Sequence, residues 1–187
     1  RQAQPVDLFA DDADFSALIA HHGLDAHRPL LHQTGRTVAG PLDEAVRINN
    51  RPHNRPTLAP WDGVGRYTAG VEHHPTWHRA GELIYGTGIM SLYGRPSPPH
   101  RLILSLFYLT SQVGEGGHNC PLACDAGAIR ALQARGTPAQ QARYLARLLD
   151  PDFDTNFTAS QFLTEVQGGS DVGANAIEAS PLDGEER

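Results

Sequence analysis

The feature that most constrains the fold is an almost continuously apolar run from Leu102 to Val113. Gly114, Gly116 and Gly117 follow the run and end it. A run of this length is typical of a buried helix, because strands in globular proteins usually stop after about eight residues. Together with the further helices that the chain predicts, this buried helix indicates a mainly α fold.

Three further helices are predicted from apolar periodicity combined with local start and stop signals. The first spans Asp14 to His22, with Asp12 or Asp14 as its cap and Gly23 as its stop. The others span Pro121 to Arg135, with Gly136 as C-cap, and Thr137 to about Leu149, where Thr137 and Gln140 form a capping box.

Weaker patterns lie between these helices. A short helix is predicted to start at Pro41, and residues 50–65, which contain three prolines, are predicted to be an extended loop. Residues 75–93 predict a helix that three glycines interrupt. Near the C-terminus, Asp183–Gly184 predicts a hairpin turn.

Composition narrows the class of protein. The formal net charge of −6 argues against a general nucleic-acid surface on this segment, which would show clustered positive charge. Two cysteines, Cys120 and Cys124, give no disulfide framework and favour a reduced, cytoplasmic protein. The sequence contains no apolar run of membrane-spanning length, so no membrane partner is expected.

Two clusters of potential metal ligands have competing interpretations. His73, His74 and His78 lie beside Glu72, but Pro75 interrupts any helix that would align them, so a packed cluster is favoured over a metal site. The stretch from His118 to Cys120, together with Cys124, is compatible with zinc or redox chemistry. Two buried thiols on one helix face are favoured there, and no metal ligand is assigned.

The strongest functional signal is the segment from Phe162 to Val172. Residues 158–164 predict a strand, and a Gly-Gly-Ser-Asp turn follows. Gly168 and Gly169 allow backbone angles closed to other residues, and the short side chains of Thr164 and Ser170 offer hydroxyls. Such a loop suits a pyrophosphate or a flavin edge, although an ordinary β-turn with Ser170 and Asp171 bonded to local backbone is the alternative.

Three patches in order carry a resemblance to a known family. The residues from Leu163 to Val172, with Asn175 and Ala176, resemble the flavin-binding signature of the acyl-CoA dehydrogenase family, and are most similar to the branch of the alkylation-response flavoprotein AidB. His74 to His78 resembles the His-Pro-x-Trp-His of that branch, and Cys120–Pro121 resembles its Cys-Pro dipeptide. The resemblance covers roughly residues 70–187.

The resemblance implies an architecture. It predicts an N-terminal extension and helical domain over residues 1–157, followed over residues 158–187 by the first strands of a middle β-barrel domain, which would be incomplete. It also implies that FAD binds non-covalently, with the Thr164 hydroxyl near the pyrimidine edge and Ser170 near the pyrophosphate. The residues expected to line the flavin are Gln161, Phe162, Leu163, Thr164, Gly168, Gly169 and Ser170.

The resemblance also implies a reaction, the α,β-dehydrogenation of an acyl-CoA thioester with hydride transfer to flavin. No catalytic residue is expected in this chain, because the family places its catalytic carboxylate in the C-terminal domain; Glu165 is interpreted as structural. The alternative is an AidB-like flavoprotein that binds DNA through its C-terminal domain and protects against alkylation damage. Expected partners are the remaining C-terminal part of the protein as a second polypeptide, and further copies in a homotetramer.

Overall fold

The computed structural model describes residues 6–178 and Ser180. The turn predicted at Asp183–Gly184 lies outside the described residues. Within them, the prediction of a mainly α fold is confirmed. The helices are α1 (Ala13–His21), α2 (Arg28–Thr37), α3 (Asp43–Asn49), α4 (Pro75–Tyr85), α5 (His100–Ser111), α6 (Asn119–Arg135) and α7 (Pro138–Leu148), and the strands are β1 (Thr57–Trp61) and β2 (Tyr67–Glu72).

Helix α5, predicted from the apolar run, packs against α2 and α6. Its side chains Leu102, Leu106 and Leu109 are at most 1% exposed and follow the spacing of one helix face. Leu104 and Tyr108 are 64% and 45% exposed. The prediction of a buried helix is therefore right for one face of α5 and wrong for the other.

The capped helices follow their predictions closely. The carboxylate of Asp12 accepts a hydrogen bond from the Phe15 N–H at 2.8 Å and caps α1. The reciprocal hydrogen bonds of Thr137 and Gln140 form the predicted capping box at the start of α7. Each signal acts over three residues, so it does not depend on tertiary packing.

The helix start predicted at Pro41 is wrong. Helix α2 already begins at Arg28, and Val38–Leu42 continues it as a π-helical turn that contains Pro41 before α3 begins. Proline has no N–H to donate, and a widened turn accommodates the lost hydrogen bond without ending the helix.

The loop predicted for residues 50–65 is also wrong in part, because β1 and β2 form an antiparallel hairpin. Its register shifts between Ala59 and Trp61, on either side of Pro60, which cannot donate to the ladder. Across the shift the rings of Trp61 and Tyr67 pack edge to face, with centroids 5.2 Å apart.

Helix α4 ends at Tyr85, earlier than the predicted interrupted helix, and Ser91–Gly94 forms a separate 3-10 turn. After α7 the chain turns back across the helices. The Ser91 hydroxyl donates to the Leu149 carbonyl at 2.7 Å, and the Phe153 ring packs on α4. This return brings residues 158–161 onto α6.

No helix of the described residues combines the length and apolarity that crossing a lipid bilayer requires.

Candidate functional site

The signature segment, residues 162–172, is preceded by residues that pack against α6. The strand predicted for residues 158–164 does not form, so this prediction is wrong. A strand requires a neighbour for its backbone hydrogen bonds, and none pairs with these residues in the described part of the chain. The backbone pairing in the segment is a tight turn: Glu165 and Gly168 exchange two N–H···O=C hydrogen bonds, each 3.1 Å long.

Glu165 organises this turn. Its exposed carboxylate accepts hydrogen bonds from the backbone N–H groups of Ala176 at 2.9 Å and Ile177 at 3.1 Å, and from the side chain of Gln167. The bond from Ala176 is the largest of the hydrogen bonds that lower the pKa of Glu165, against a smaller opposing effect of desolvation. These contacts support the interpretation of Glu165 as structural.

The two glycines differ from the expectation that they adopt backbone angles closed to other residues. Neither Gly168 nor Gly169 has a φ in the left-handed range. At Gly169 the reason for glycine is space, because a Cβ atom there would lie 3.2 Å from the side chain of Thr164. The loop is therefore tight through packing and not through unusual φ angles.

The polar groups expected to face a ligand are accessible. Thr164 and Ser170 are exposed, and the backbone N–H groups of Gly169 and Ser170 find no acceptor among residues 6–178. Exposed N–H groups and hydroxyls on a bend are the donors that phosphate oxygens and carbonyl oxygens of a dinucleotide accept from. The residues present therefore fit the chemistry of FAD.

Phe162 and Leu163, which are expected to line the flavin, are 95% and 59% exposed in this structure. Val166, at the tip of the turn, is fully exposed as well. Among the described residues, these three side chains therefore form an exposed apolar surface.

Gln161, the first residue expected to line the flavin, packs against α6 from outside the helix. Its side-chain amide donates to the Cys124 carbonyl at 2.7 Å. The same amide lies 3.1 Å from the position that a Cβ atom would take at Gly127. A side chain at residue 127 would therefore require the Gln161 amide to shift by a few tenths of an ångström.

Sequence reasoning missed the group that holds the residues just before Gln161. Asp125 of α6 is fully buried; it accepts a hydrogen bond from the Tyr85 hydroxyl at 3.0 Å and another from the Ala159 N–H at 2.5 Å. Burial raises the pKa of Asp125, and burial beside this carboxylate also raises the pKa of Tyr85, which stays a donor. The signal available in the sequence was an aspartate in line with Leu122 and Ile129 on a buried helix face.

The histidine cluster is packed, as the sequence favoured. The His73 ring stacks on Trp77 with centroids 4.1 Å apart, and His118 Nε2 lies 2.9 Å from the Trp77 carbonyl oxygen. His74 caps α4 by accepting from the Thr76 N–H, and His78 pairs with Asp154. Within residues 6–178, no three His, Cys, Asp or Glu side chains are placed to share a metal ion.

His118, from the second group of potential ligands, packs against the same Trp77 and is 2% exposed. Desolvation lowers its pKa, against the opposing effect of the Glu115 carboxylate. Glu115 in turn accepts from the backbone N–H groups of His118 and Asn119 at the start of α6. The neutral imidazole is therefore part of the packing between α4 and α6.

The prediction of two buried thiols is wrong. Cys120 is exposed and Cys124 is half-buried. The wrong prediction came from assigning Cys120 to the buried face of α6, which instead carries Leu122, Asp125 and Ile129. The expected helix start at the Cys-Pro dipeptide is correct, because α6 begins at Asn119.

An apolar cavity of about 240 Å³ lies between the turn after α4 and the helices α5 and α6. Its lining residues are Ile89, Met90, Tyr93, Ile103, Leu104, Phe107, Leu122, Ala123 and Ala126. Ala123 and Ala126 lie on either side of Cys124 and Asp125 in α6. Those two residues hold Gln161 and Ala159, just ahead of the signature segment. The cavity and the segment therefore share one helix.

Comparison with known proteins places this arrangement in a family. The family model of the adaptive response protein AidB N-terminal domain matches residues 1–155. AidB of Escherichia coli (strain K12), provisionally named as an acyl-CoA dehydrogenase, is 30% identical over 141 residues, which cover 70% of this chain and 26% of that protein.

Two solved structures share the fold. The apo form of Bd2924 superposes with a TM-score of 0.79 at 24% identity, over 98% of this chain and 39% of that one. Caenorhabditis elegans ACDH-11, solved in complex with C11-CoA, gives a TM-score of 0.76 at 22% identity, over 95% of this chain and 32% of that one. The chain thus spans between 26% and 39% of the length of these relatives. Because the family model matches most of its residues, the chain belongs to the AidB N-terminal domain family and is an N-terminal segment of the AidB-like acyl-CoA dehydrogenase type.

Proposed function

We propose that residues 161–170 form one wall of an FAD site in an AidB-like, acyl-CoA dehydrogenase-like oxidoreductase. The observation that carries the proposal is the bend at Gly169 and Ser170, where two backbone N–H groups without an acceptor in residues 6–178 lie beside exposed hydroxyls. The segment that presents them is fixed to α6 at Ala159 and Gln161.

In this proposal the chain binds and orients the cofactor. The Thr164 hydroxyl would donate to the pyrimidine edge of the flavin ring, and Ser170 to the pyrophosphate. Bound FAD would supply the hydride acceptor for α,β-dehydrogenation of an acyl-CoA thioester. The carboxylate that removes the α-proton would come from outside residues 6–178, and Glu165 is already engaged with Ala176 and Ile177.

The apolar cavity beside α6 supports an acyl thioester as the substrate class. Its lining is almost entirely aliphatic and aromatic, which suits a hydrocarbon chain. ACDH-11, which shares the fold, was solved with C11-CoA. In this proposal the acyl chain occupies the cavity beside α6. The same helix holds the segment that would bind the flavin.

Exposed apolar side chains support the need for additional protein around the site. Phe162, Leu163, Val166 and Ile177 are between 59% and fully exposed within one short segment. Such a cluster is typical of a surface that packs against further protein. We expect the β-domain and C-terminal helices of the complete protein to cover it and to shield the flavin from water.

The alternative function is DNA-associated protection from alkylation, favoured by the match to the adaptive response protein AidB family. The net charge of −6 argues against a general nucleic-acid surface on this chain. In this alternative, DNA would be bound by the C-terminal domain that the family resemblance implies.

The test of the flavin proposal is direct. The protein expressed from its complete coding sequence is passed through gel filtration, and its visible spectrum is recorded before and after FAD is added. We expect flavin absorbance bands that remain with the protein peak. The absence of these bands, together with no uptake of added FAD, would refute the proposal.

A further inference from the structure

Asp125 makes the contact that fixes the chain immediately ahead of the signature segment. It lies on α6, 34 residues before Ala159 in sequence, yet accepts the Ala159 N–H at 2.5 Å. Its second carboxylate oxygen accepts the Tyr85 hydroxyl from α4 at 3.0 Å. One side chain therefore joins two helices of the core to the main chain that leads into residues 161–170.

The environment of Asp125 is unusual for a carboxylate. The side chain is 0% exposed, and its partners in the described part of the chain, Tyr85 and Ala159, are both neutral. Burying a carboxylate without a cation is costly, and an apolar residue of similar size would stabilise the helix packing better. A carboxylate does, however, provide two oxygens, which here accept from two different elements.

The segment has few other attachments to the helical core. Residues 158–164 have no strand partner among the described residues, and beyond Ala159 the next hydrogen bond to α6 comes from Gln161 to the Cys124 carbonyl. Phe162 and Leu163 then point into solvent. The position of Thr164 and Ser170 relative to the helices therefore depends on two hydrogen bonds. These are accepted by Cys124 and Asp125, which are consecutive in α6.

We infer that Asp125, oriented by Tyr85, is a positioning residue that sets the affinity of the site for flavin by holding the main chain at Ala159. This inference rests on the proposed function. Asp125 does not touch the ligand in this scheme. Its loss would let the segment move away from α6, so that the donors at Gly169 and Ser170 would be ordered only when the cofactor binds, which weakens binding.

The experiment compares variants of the protein expressed from its complete coding sequence. Asp125→Ala removes the acceptor, and Asp125→Asn keeps an acceptor oxygen for Ala159. Gln133→Ala is the matched control, because it removes a hydrogen bond between α6 and the Tyr93 carbonyl, away from the segment. For each variant, FAD affinity is measured by titration, thermal unfolding by circular dichroism, and amide hydrogen exchange in residues 159–164 by mass spectrometry.

We expect Asp125→Ala to weaken FAD binding at least about tenfold, because loss of this buried hydrogen bond frees the segment, and to speed amide exchange in residues 159–164. Asp125→Asn should restore both to near the parent values, and Gln133→Ala should leave both unchanged. Equal FAD affinity in Asp125→Ala and a flavin-binding parent would overturn the inference while leaving the proposed function standing. A parent that takes up no FAD would overturn both.

A second variant keeps the test decisive if Asp125→Ala does not fold. Ala159→Pro removes the donor from the segment and leaves Asp125 and Tyr85 in place on the helices. We expect it to fold, at a lower melting temperature because one oxygen of the buried Asp125 loses its partner, and to lose FAD affinity at least about tenfold. Parent-like affinity in Ala159→Pro would show that the bond to Asp125 does not position the segment.

Discussion

The ring of Phe153 lies directly on Gly81 of α4: a Cβ atom at residue 81 would sit 2.4 Å from a ring carbon. Phe153 also packs against Trp77 and Tyr85, with ring centroids 5.6 and 5.3 Å away. Because glycine has no side chain, the segment that follows α7 can contact α4 at residue 81.

Gly81→Ala is accordingly expected to destabilise the protein, although alanine is the better helix former by about 1 kcal/mol. Overpacking against Phe153 costs about 1–3 kcal/mol, so after the gain in helix propensity we expect a net loss of up to about 2 kcal/mol in the free energy of unfolding. Chemical denaturation followed by circular dichroism measures it. Gly40→Ala is the control, since nothing lies within 4 Å of a Cβ there, and it should be neutral or slightly stabilising. A stabilised Gly81→Ala would contradict the packing.

The burial of His118 is expected to make the folded protein less stable in mild acid. Burial lowers its pKa below the usual 6.5, so the unfolded chain takes up a proton at a higher pH than the folded chain does. The full stabilising effect of neutral His118 is present above about pH 6.5. It is lost as the pH falls through the lowered pKa of the folded state, and the total loss is about 1.4 kcal/mol for each unit by which the two pKa values differ.

His118→Gln keeps a side-chain donor for the Trp77 carbonyl but cannot titrate in this range. We expect its melting temperature to depend less on pH between about 4 and 7 than that of the parent. His53→Gln, at an exposed position, serves as the control and should keep the parent's pH dependence. If His118→Gln also kept it, protonation of His118 would not limit stability.

The sequence was sufficient for those helices whose start and stop signals are local. The capping box of Thr137 and Gln140 and the cap at Asp12 each depend on residues within one turn, and both were predicted correctly. The hairpin of β1 and β2 was missed, because Pro60 and its neighbouring prolines predict a loop. The pairing of Trp61 with Tyr67 across the bulge overrides that local preference.

In the signature segment, too, the features encoded locally were predicted and those that depend on distant residues were not. Its residues could be named from their resemblance to a family, and the hydroxyls and N–H groups are accessible as that interpretation requires. How the segment is held could not be predicted, because Asp125 and Ala159 are 34 residues apart and no local pattern joins them. Gly168 and Gly169 were expected to allow backbone angles closed to other residues, but neither has a left-handed φ, and at Gly169 the observed constraint is the Thr164 side chain 3.2 Å from a Cβ position.

Asp125 predicts a pH dependence of the opposite sign to that of His118. Burial raises its pKa, so the folded chain holds a proton to higher pH than the unfolded chain, and stability is lost as the pH rises through the raised value. Asp125→Asn removes this loss while keeping an acceptor for Ala159. Its advantage in melting temperature over the parent should therefore grow as the pH rises from about 4 to 8. Asp11→Asn, at an exposed position, should show no such growth. An advantage that shrinks with rising pH would contradict the burial effect at Asp125.

Ser170 is expected to contribute modestly to flavin affinity under the proposed function. Ser170→Ala removes one hydroxyl donor and leaves the backbone N–H in place, so the loss should be about 1 kcal/mol, or roughly fivefold in the dissociation constant for FAD. Titration of the apoprotein with FAD measures it. A loss of more than about a hundredfold would mean that Ser170 also supports the fold of the loop.

Gly169→Val tests the loop more severely. A Cβ atom at residue 169 would already lie 3.2 Å from the Thr164 side chain, and the branched side chain of valine adds two methyl groups beyond that close contact. Either Thr164 or the bend must move, and both carry groups that the proposal assigns to the flavin. We expect Gly169→Val to be purified without flavin and to take up little when FAD is added. Gly168→Ala provides the matched control, because nothing lies within 4 Å of a Cβ at residue 168 and its φ is not left-handed. It should keep the parent's flavin content. If Gly169→Val and the parent held the same amount of flavin after gel filtration, residues 161–170 would not line the cofactor.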